Sequence, residues 1–323
     1  GGLLHRALRP VDATTEGLVE LAQDATAPEG LLFHHANEGR PLATPWQIAA
    51  LRAQLVSSHE LPSGFVLDCA CGSGIQLAAY GAALQRPLLG VELAEERAQA
   101  SAMNVQTVAQ HMRSGEDAWY TDSHIIAGDG TDAKGVIAAL NKPDMEIAFL
   151  HLDPARPRNS RTHALEEMQP PLHRVLASWA PYFSKTRHAP ALLLDLSPRL
   201  TAAQRDEVES IVEETWPSIA RTWEWTSRGR GRVDRLALWL GGVADAHATR
   251  RFIRVPASLA DSPVILRSKD LHRVPEARLH PPKRNEHVSI LDAALMESGL
   301  MEEWLKRVAP SEQGRWAFVE GRR

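Results

Sequence analysis

Apolar and polar positions follow a repeating pattern through the middle of the chain. Phe65 to Leu67 is a short β-prone run that ends in an acid, Asp68, and a Gly-rich turn follows at Gly72 and Gly74. Ile75 to Leu84 is rich in Ala and Leu and predicts a helix. A second apolar run, Pro87 to Val91, ends in Glu92. The same alternation continues. Helices are expected over Ala94 to Met112, Thr131 to Leu140, Ala164 to Trp179 and Thr201 to Thr215. Strands are expected over His124 to Ala127, Glu146 to Leu152 and Ala191 to Leu196. Such a series predicts an α/β, doubly wound parallel sheet. Ile219 to Thr226 and Val233 to Leu240 then read as two strands joined by an Arg- and Gly-rich hairpin loop.

The two ends of the chain differ from this core. Residues 1–60 read as a helical N-terminal segment, broken at Pro10, Pro28, Pro41 and Pro45. Thr44 and Pro45 are the expected N-cap and first-turn pair of a helix from Trp46 to Ser57. This segment could close one side of a ligand pocket. The repeating core and hairpin occupy 61–244, and 245–323 reads as a small appended α+β domain. In that domain His287 to Val308 is expected to be helical with a break at Gly299, and Arg315 to Val319 forms a last strand.

Composition bounds this picture without changing it. The 323 residues are 44% hydrophobic and 24% charged, ordinary for a globular protein. No apolar run is long enough for a membrane span, and no leader peptide is visible. The two cysteines, Cys69 and Cys71, lie inside the Gly-rich turn, cannot staple a fold and make no metal site, which leads us to expect a cytoplasmic protein without metal. Net charge is −4, unevenly spread: residues 221–323 hold 19 Lys and Arg against 13 Asp and Glu, about +6, and the rest is about −10. The basic end suits an anionic partner, or a solvated Arg-rich surface. Oligomeric state is not legible.

The glycine spacing narrows the chemistry. Glycines let backbone approach a ligand and present N–H groups at a helix start, while an acid ending the second strand can accept both hydroxyls of a ribose. A dinucleotide fingerprint needs a small residue where Leu77 stands. Asp68, Ala70, Gly72 and Gly74 instead fall at every second position, which resembles the first motif of class I S-adenosylmethionine (SAM) methyltransferases, with Ala70 replacing its first glycine. Five parallel strands closed by an antiparallel hairpin also match that family, so the resemblance implies a seven-stranded Rossmann-like methyltransferase domain. It further implies SAM as cofactor, held by Asp68, Cys69, Ala70, Gly72, Gly74, Glu92, Leu93, Asp129 and Gly130. Asp129 would meet the adenine amino group, or cap the following helix.

The stretch His151-Leu152-Asp153-Pro154-Ala155-Arg156 ends the fourth strand. In amino-methylating relatives an Asp/Asn-Pro-Pro-aromatic motif stands here, its acid or amide orienting the acceptor. Asp153 and Pro154 match, but Ala155 and Arg156 replace the second proline and the aromatic. A ring from Phe33, Trp46, Trp119 or Tyr120 could substitute. Uracil-C5 methylation, which needs a cysteine nucleophile after the fifth strand, is disfavoured because Asp195-Leu196-Ser197-Pro198 stands there. Asp153, Pro154 and Arg156 are the candidate catalytic residues, and Arg158, Arg161 and Arg230 candidate anchors for a substrate anion.

Asp-Pro-Ala-Arg, Gln169-Pro170-Pro171-Leu172, Trp223-Glu224-Trp225, His287-Val288-Ser289-Ile290 and Gly314-Arg315-Trp316 together resemble class I SAM methyltransferases with a C-terminal THUMP-like domain. That resemblance implies an RNA substrate, transfer or ribosomal. The competing readings are a methyltransferase of a small metabolite or protein side chain, a non-catalytic SAM- or RNA-binding protein, and a nicotinamide dehydrogenase.

Overall fold

The structure, a computed structural model, describes residues 8–14, 20–36, 43–112, 118–155, 162, 164–185, 189–229, 231–269, 281–308 and 316–320. The chain forms two compact units. One comprises residues 1–194, 200–219 and 241–243, and the other 195–199, 220–240 and 244–323.

In the first unit, β1 (Arg9–Pro10) precedes a hairpin of β2 (Glu20–Gln23) and β3 (Leu32–His35), then α1 (Trp46–Ser57). The expected helical segment is thus strand and turn up to α1 wherever it is described. Local β-preference in Leu32-Phe33-His34-His35 is reinforced by burial of Leu31 and Phe33, both wholly inaccessible. Thr44 is not the cap of α1 either, because Pro45 occupies that position without a side-chain bond. The helix start is satisfied from far away in sequence. Asp24 Oδ2 accepts from Trp46 N at 2.8 Å and Thr26 Oγ1 from Gln47 N at 3.0 Å.

The core series follows: β4 (Phe65–Asp68), α2 (Ile75–Leu84), β5 (Leu88–Glu92), α3 (Glu95–His111), α4 (Ala118–Thr121), β6 (His124–Ala127), α5 (Ala133–Leu140), β7 (Ile147–Leu152), α6 (Leu172–Trp179), β8 (Ala191–Leu196) and α7 (Ala202–Thr215). The helix expected from Ala164 begins only at Leu172. Gln169 exchanges backbone hydrogen bonds with Ala155, and Pro170 and Pro171 cannot supply helical N–H groups.

Strand order in this unit is β1-β6-β5-β4-β7-β8. Strands β4 to β8 run parallel and β1 pairs antiparallel with β6, so the sheet is mixed. Strands β5, β7 and β8 are buried at every position, as expected of parallel strands covered on both faces. From β4 the chain winds through β5 and β6 to one side, then returns to β7 and β8 on the other. The reversal places a topological switch point between β4 and β7, and in open α/β sheets ligands bind outside the carboxyl ends of strands at such a point.

The second unit has β9 (Arg221–Ser227), β10 (Arg235–Gly241), β11 (Arg250–Arg254) and β12 (Val264–Ser268) in the order β10-β9-β11-β12. The expected hairpin is β9 and β10. It groups with the tail because β9 also pairs in parallel with β11, Trp223 opposite Arg250. Strand β13 (His287–Leu291), α8 (Ala293–Ser298), α9 (Met301–Val308) and β14 (Trp316–Glu320) follow, β13 and β14 being parallel. Residues 287–291 were expected to be helical. They are a strand because Val288 and Ile290 favour extended backbone and Asp292 caps α8, accepting from Ala294 N at 2.8 Å. Leu291, Met301 and Phe318 form the local core, with Met296, Trp304 and Leu305 packed against it.

Candidate active site

Four acids stand at the carboxyl ends of four adjacent parallel strands. Asp129 follows β6, Glu92 ends β5, Asp68 ends β4 and Asp153 follows β7. The glycine turn after β4 explains how backbone reaches them. Gly72 and Gly74 have φ of +55° and +72°, left-handed values that Gly adopts without strain. A Cβ on Gly74 would also lie 2.2 Å from Ser101 Oγ, so α3 and the turn approach as closely as only glycine allows. Gly130 is equally constrained, since its Cβ would stand 2.1 Å from the Cys69 carbonyl oxygen. Its own carbonyl accepts from Trp179 Nε1 at 2.8 Å.

Glu92 is 4% exposed. Its Oε2 accepts from Gly72 N at 3.0 Å, and its Oε1 from Ala94 N at 2.9 Å and from the Arg97 guanidinium at 2.8 and 3.0 Å. The carboxylate therefore ties the glycine turn to the start of α3, and Oε2, with a single donor, keeps a lone pair. Leu93, next in the chain, is an exposed apolar side chain at 63%. Asp129 is exposed and folds a local turn, its Oδ1 accepting from Thr131 N and Oγ1, each at 2.8 Å. It does not cap α5. Asp132 does, accepting from Gly135 N at 2.9 Å.

Asp68 is 2% exposed. Its Oδ1 accepts from Ala70 N at 3.0 Å, and its Oδ2 lies 2.9 Å from His151 Nδ1. Cys69 and Cys71 are free and buried. Burial, then the Asp68 carboxylate, pushes both thiols well above their ordinary range. They stay protonated and pack as small apolar groups, and Cys71 Sγ lies 3.4 Å from Ser101 Oγ.

Asp153 is half-buried and Pro154 buried. Paired backbone bonds with Gln169, 2.8 and 2.9 Å, hold Ala155, the residue after Pro154. The candidate catalytic residue Arg156 and the expected anchors Arg158, Arg161 and Arg230 lie outside the described residues. The rings proposed to replace the missing aromatic are mostly core: Phe33, Trp46 and Trp119 are 0%, 3% and 4% exposed.

Three residues of this neighbourhood escaped the sequence reading. Arg97 partners Glu92. Asn104, fully buried, accepts from His34 N at 2.7 Å and donates to His34 O at 2.9 Å and Ser73 O at 2.8 Å, tying β3 to the glycine turn. His151 faces Asp68. Its signal in the sequence was a lone imidazole in the otherwise apolar strand Ile-Ala-Phe-Leu-His-Leu.

No protein-family model matches the chain, and no curated protein matches it in sequence. Solved structures do. One is a protein of Porphyromonas gingivalis W83 to which methyltransferase activity is ascribed, at a TM-score of 0.52 and 17% identity over 84% of this chain and 59% of that one. This chain thus spans a little under two thirds of that protein's length. A precorrin-6y C5,15-methyltransferase of Geobacter metallireducens GS-15 matches at a TM-score of 0.41 and 9% identity, covering 65% of this chain and 93% of that one. A SAM-dependent methyltransferase of Aquifex aeolicus matches at 0.39 and 11%, covering 64% and 97%. The first of these likenesses carries the fold: an α/β architecture with a mixed sheet, shared with methyltransferase Rossmann-like structures.

Proposed function

We propose that this protein is a SAM-dependent methyltransferase. The observation that carries the reading is the row of acids Asp129, Glu92, Asp68 and Asp153 at adjacent strand ends, beside a glycine turn and at the switch point of the sheet. The residues suit the cofactor. Asp68 can accept from an ammonium group, Glu92 from ribose hydroxyls and Asp129 from an adenine amino group, while exposed Leu93 offers an apolar surface to a base. Cys69, Ala70, Gly72, Gly74 and Gly130 form the backbone cradle, where side chains at Gly74 and Gly130 would collide with protein.

When bound, SAM supplies an electrophilic methyl group for in-line displacement. The chain's part is positioning, which by itself can account for a large share of such a barrier. Asp153 orients the acceptor and can take its proton, with Pro154 fixing the backbone at that point. Arg156, Arg158 and Arg161 follow Asp153 in the sequence and are suited to a phosphate.

RNA is the acceptor class we favour, on those arginines and on the basic balance of residues 221–323. The second unit resembles a THUMP-like domain only in its sequence motifs. One observation favours a smaller acceptor instead: Arg228, Arg251, Arg254 and Arg267 are engaged by Asp234, Glu224, Asp292 and Asp245 within that unit.

Transfer of a labelled methyl group from SAM into host extract, separated into RNA, protein and small molecules, tests the reading. Label in RNA that is lost with Asp153→Ala is expected. Label confined to another fraction removes the RNA assignment, and no transfer into any fraction removes the enzymatic one.

A further inference from the structure

A polar pair lies buried under the proposed cofactor site and couples two of its strands. Asp68 and His151 are cross-strand neighbours on β4 and β7, so their side chains leave the sheet on the same face, one on each side of the switch point. Gly90 occupies the matching position on β5 and Leu193 that on β8. The row is therefore apolar or empty apart from the pair. Asp68 and His151 are 2% and 1% exposed, with Oδ2 and Nδ1 2.9 Å apart. The imidazole is also fixed by ring packing: its centroid is 5.5 Å from that of Tyr80, which meets Phe149 edge-on at 5.1 Å.

An apolar residue at 151 would fill this space without desolvating a polar ring. Burying an imidazole against an acid is costly unless the two are hydrogen-bonded. An ionised carboxylate only accepts, so Nδ1 carries the proton and donates to Oδ2. Ala70 N holds the other oxygen at 3.0 Å. With one donor on each oxygen, the plane of the carboxylate is set before any ligand arrives, and so is the direction of its remaining lone pairs. The neighbouring thiols of Cys69 and Cys71 remain protonated, so they add no compensating or competing charge.

We infer that His151 is a positioning residue that orients Asp68 for the amino-acid end of the cofactor. Recognition of that end is thereby built jointly by the strand bearing the glycine turn and the strand leading to Asp153. The inference rests on the SAM reading above.

The test is calorimetric titration of the intact protein and of His151→Phe and His151→Asn with two ligands. S-adenosylhomocysteine carries the amino-acid end, and 5′-methylthioadenosine lacks it. Phe keeps the ring and loses the donor, whereas the Asn amide can donate from nearly the same place. The expected result is that His151→Phe weakens S-adenosylhomocysteine by about tenfold or more, as loss of a charge-assisted hydrogen bond would. Methylthioadenosine should change less than twofold, and His151→Asn should recover most of the affinity. Equal loss of both ligands in the Phe variant, at an unchanged melting temperature, would mean that His151 only packs and would overturn the inference. Unchanged S-adenosylhomocysteine binding would overturn it too. If methylthioadenosine binds too weakly to measure, the contrast between Phe and Asn decides. Wild-type protein that binds neither ligand would instead remove the cofactor reading itself, and this inference with it.

Discussion

Buried carboxylates do different work in the two units. In the first, Asp68 and Glu92 divide their oxygens between backbone N–H groups, those of Ala70, Gly72 and Ala94, and one side chain each, His151 or Arg97. In the second, acids are met by arginines. Glu224 takes the buried Arg251 guanidinium at 2.6 and 2.8 Å, and Arg251 also stacks over Trp239 at 4.6 Å. Asp245 takes Arg267 at 2.6 Å, and Asp292 joins Arg254 and the Ser227 hydroxyl. Asp68, with one donor on each oxygen, and Glu92 Oε2, with one, keep acceptor capacity for a ligand. A carboxylate of the second unit, matched to a guanidinium, has used its charge to tie strands together. The basic composition of the C-terminal third is, to that extent, internal.

The contrast predicts where mutations act. Arg251→Ala should have the largest effect, costing about 3–5 kcal/mol of stability because Glu224 is left buried without its partner. Thermal or denaturant unfolding would measure this. Replacing both members with apolar residues, Arg251→Met with Glu224→Leu, should recover most of the loss. Failure to recover would mean that the pair does more than hold strands together.

Asn104→Ala should come next, at about 1–3 kcal/mol, since it leaves the half-buried His34 N–H and the His34 and Ser73 carbonyls without this partner. S-adenosylhomocysteine affinity should fall with it, because the glycine turn loses its tether to β3. Stability lost with affinity intact would separate Asn104 from the site.

The smallest effect concerns pH. Burial alone would raise the Asp245 carboxyl. The His247 N–H and the Arg267 and Arg251 guanidiniums outweigh that and hold it below the ordinary range. A depressed folded-state value means that its stabilisation is complete above the unfolded value, about 3.9, and is lost as pH falls through the folded one. Asp245→Asn should therefore flatten the acid limb of a stability profile below about pH 4 and leave the neutral region with a constant offset.

Legibility in the sequence followed the range of the interactions. The turn at Gly72 and Gly74 was readable because backbone conformation there is a local demand, and β9 with β10 because alternation and a Gly-rich loop are adjacent in the chain. The N-terminal segment was misread because β3 owes its place to Asn104, about 70 residues on, and α1 owes its first N–H bonds to Asp24 and Thr26. Proline breaks were seen, but not what filled the gaps between them. His151 was quoted within the Asp153 motif and given no role, because its role follows from cross-strand register, and register is a property of the sheet. Asp129 was offered as a helix cap, and Asp132, three residues on, does that work at closer range.

The most direct test of the central claim, that the strand-end acids of the first unit bind SAM, is calorimetric titration of the intact protein with S-adenosylhomocysteine in wild type, Glu92→Gln and Arg267→Ala. Glu92→Gln keeps one acceptor oxygen and removes the charge. The account predicts one site in wild type, roughly 10- to 100-fold weaker in Glu92→Gln, as for loss of hydrogen bonds to a charged group, and unchanged in Arg267→Ala. Absence of binding in wild type, or equal affinity in wild type and Glu92→Gln, would contradict it.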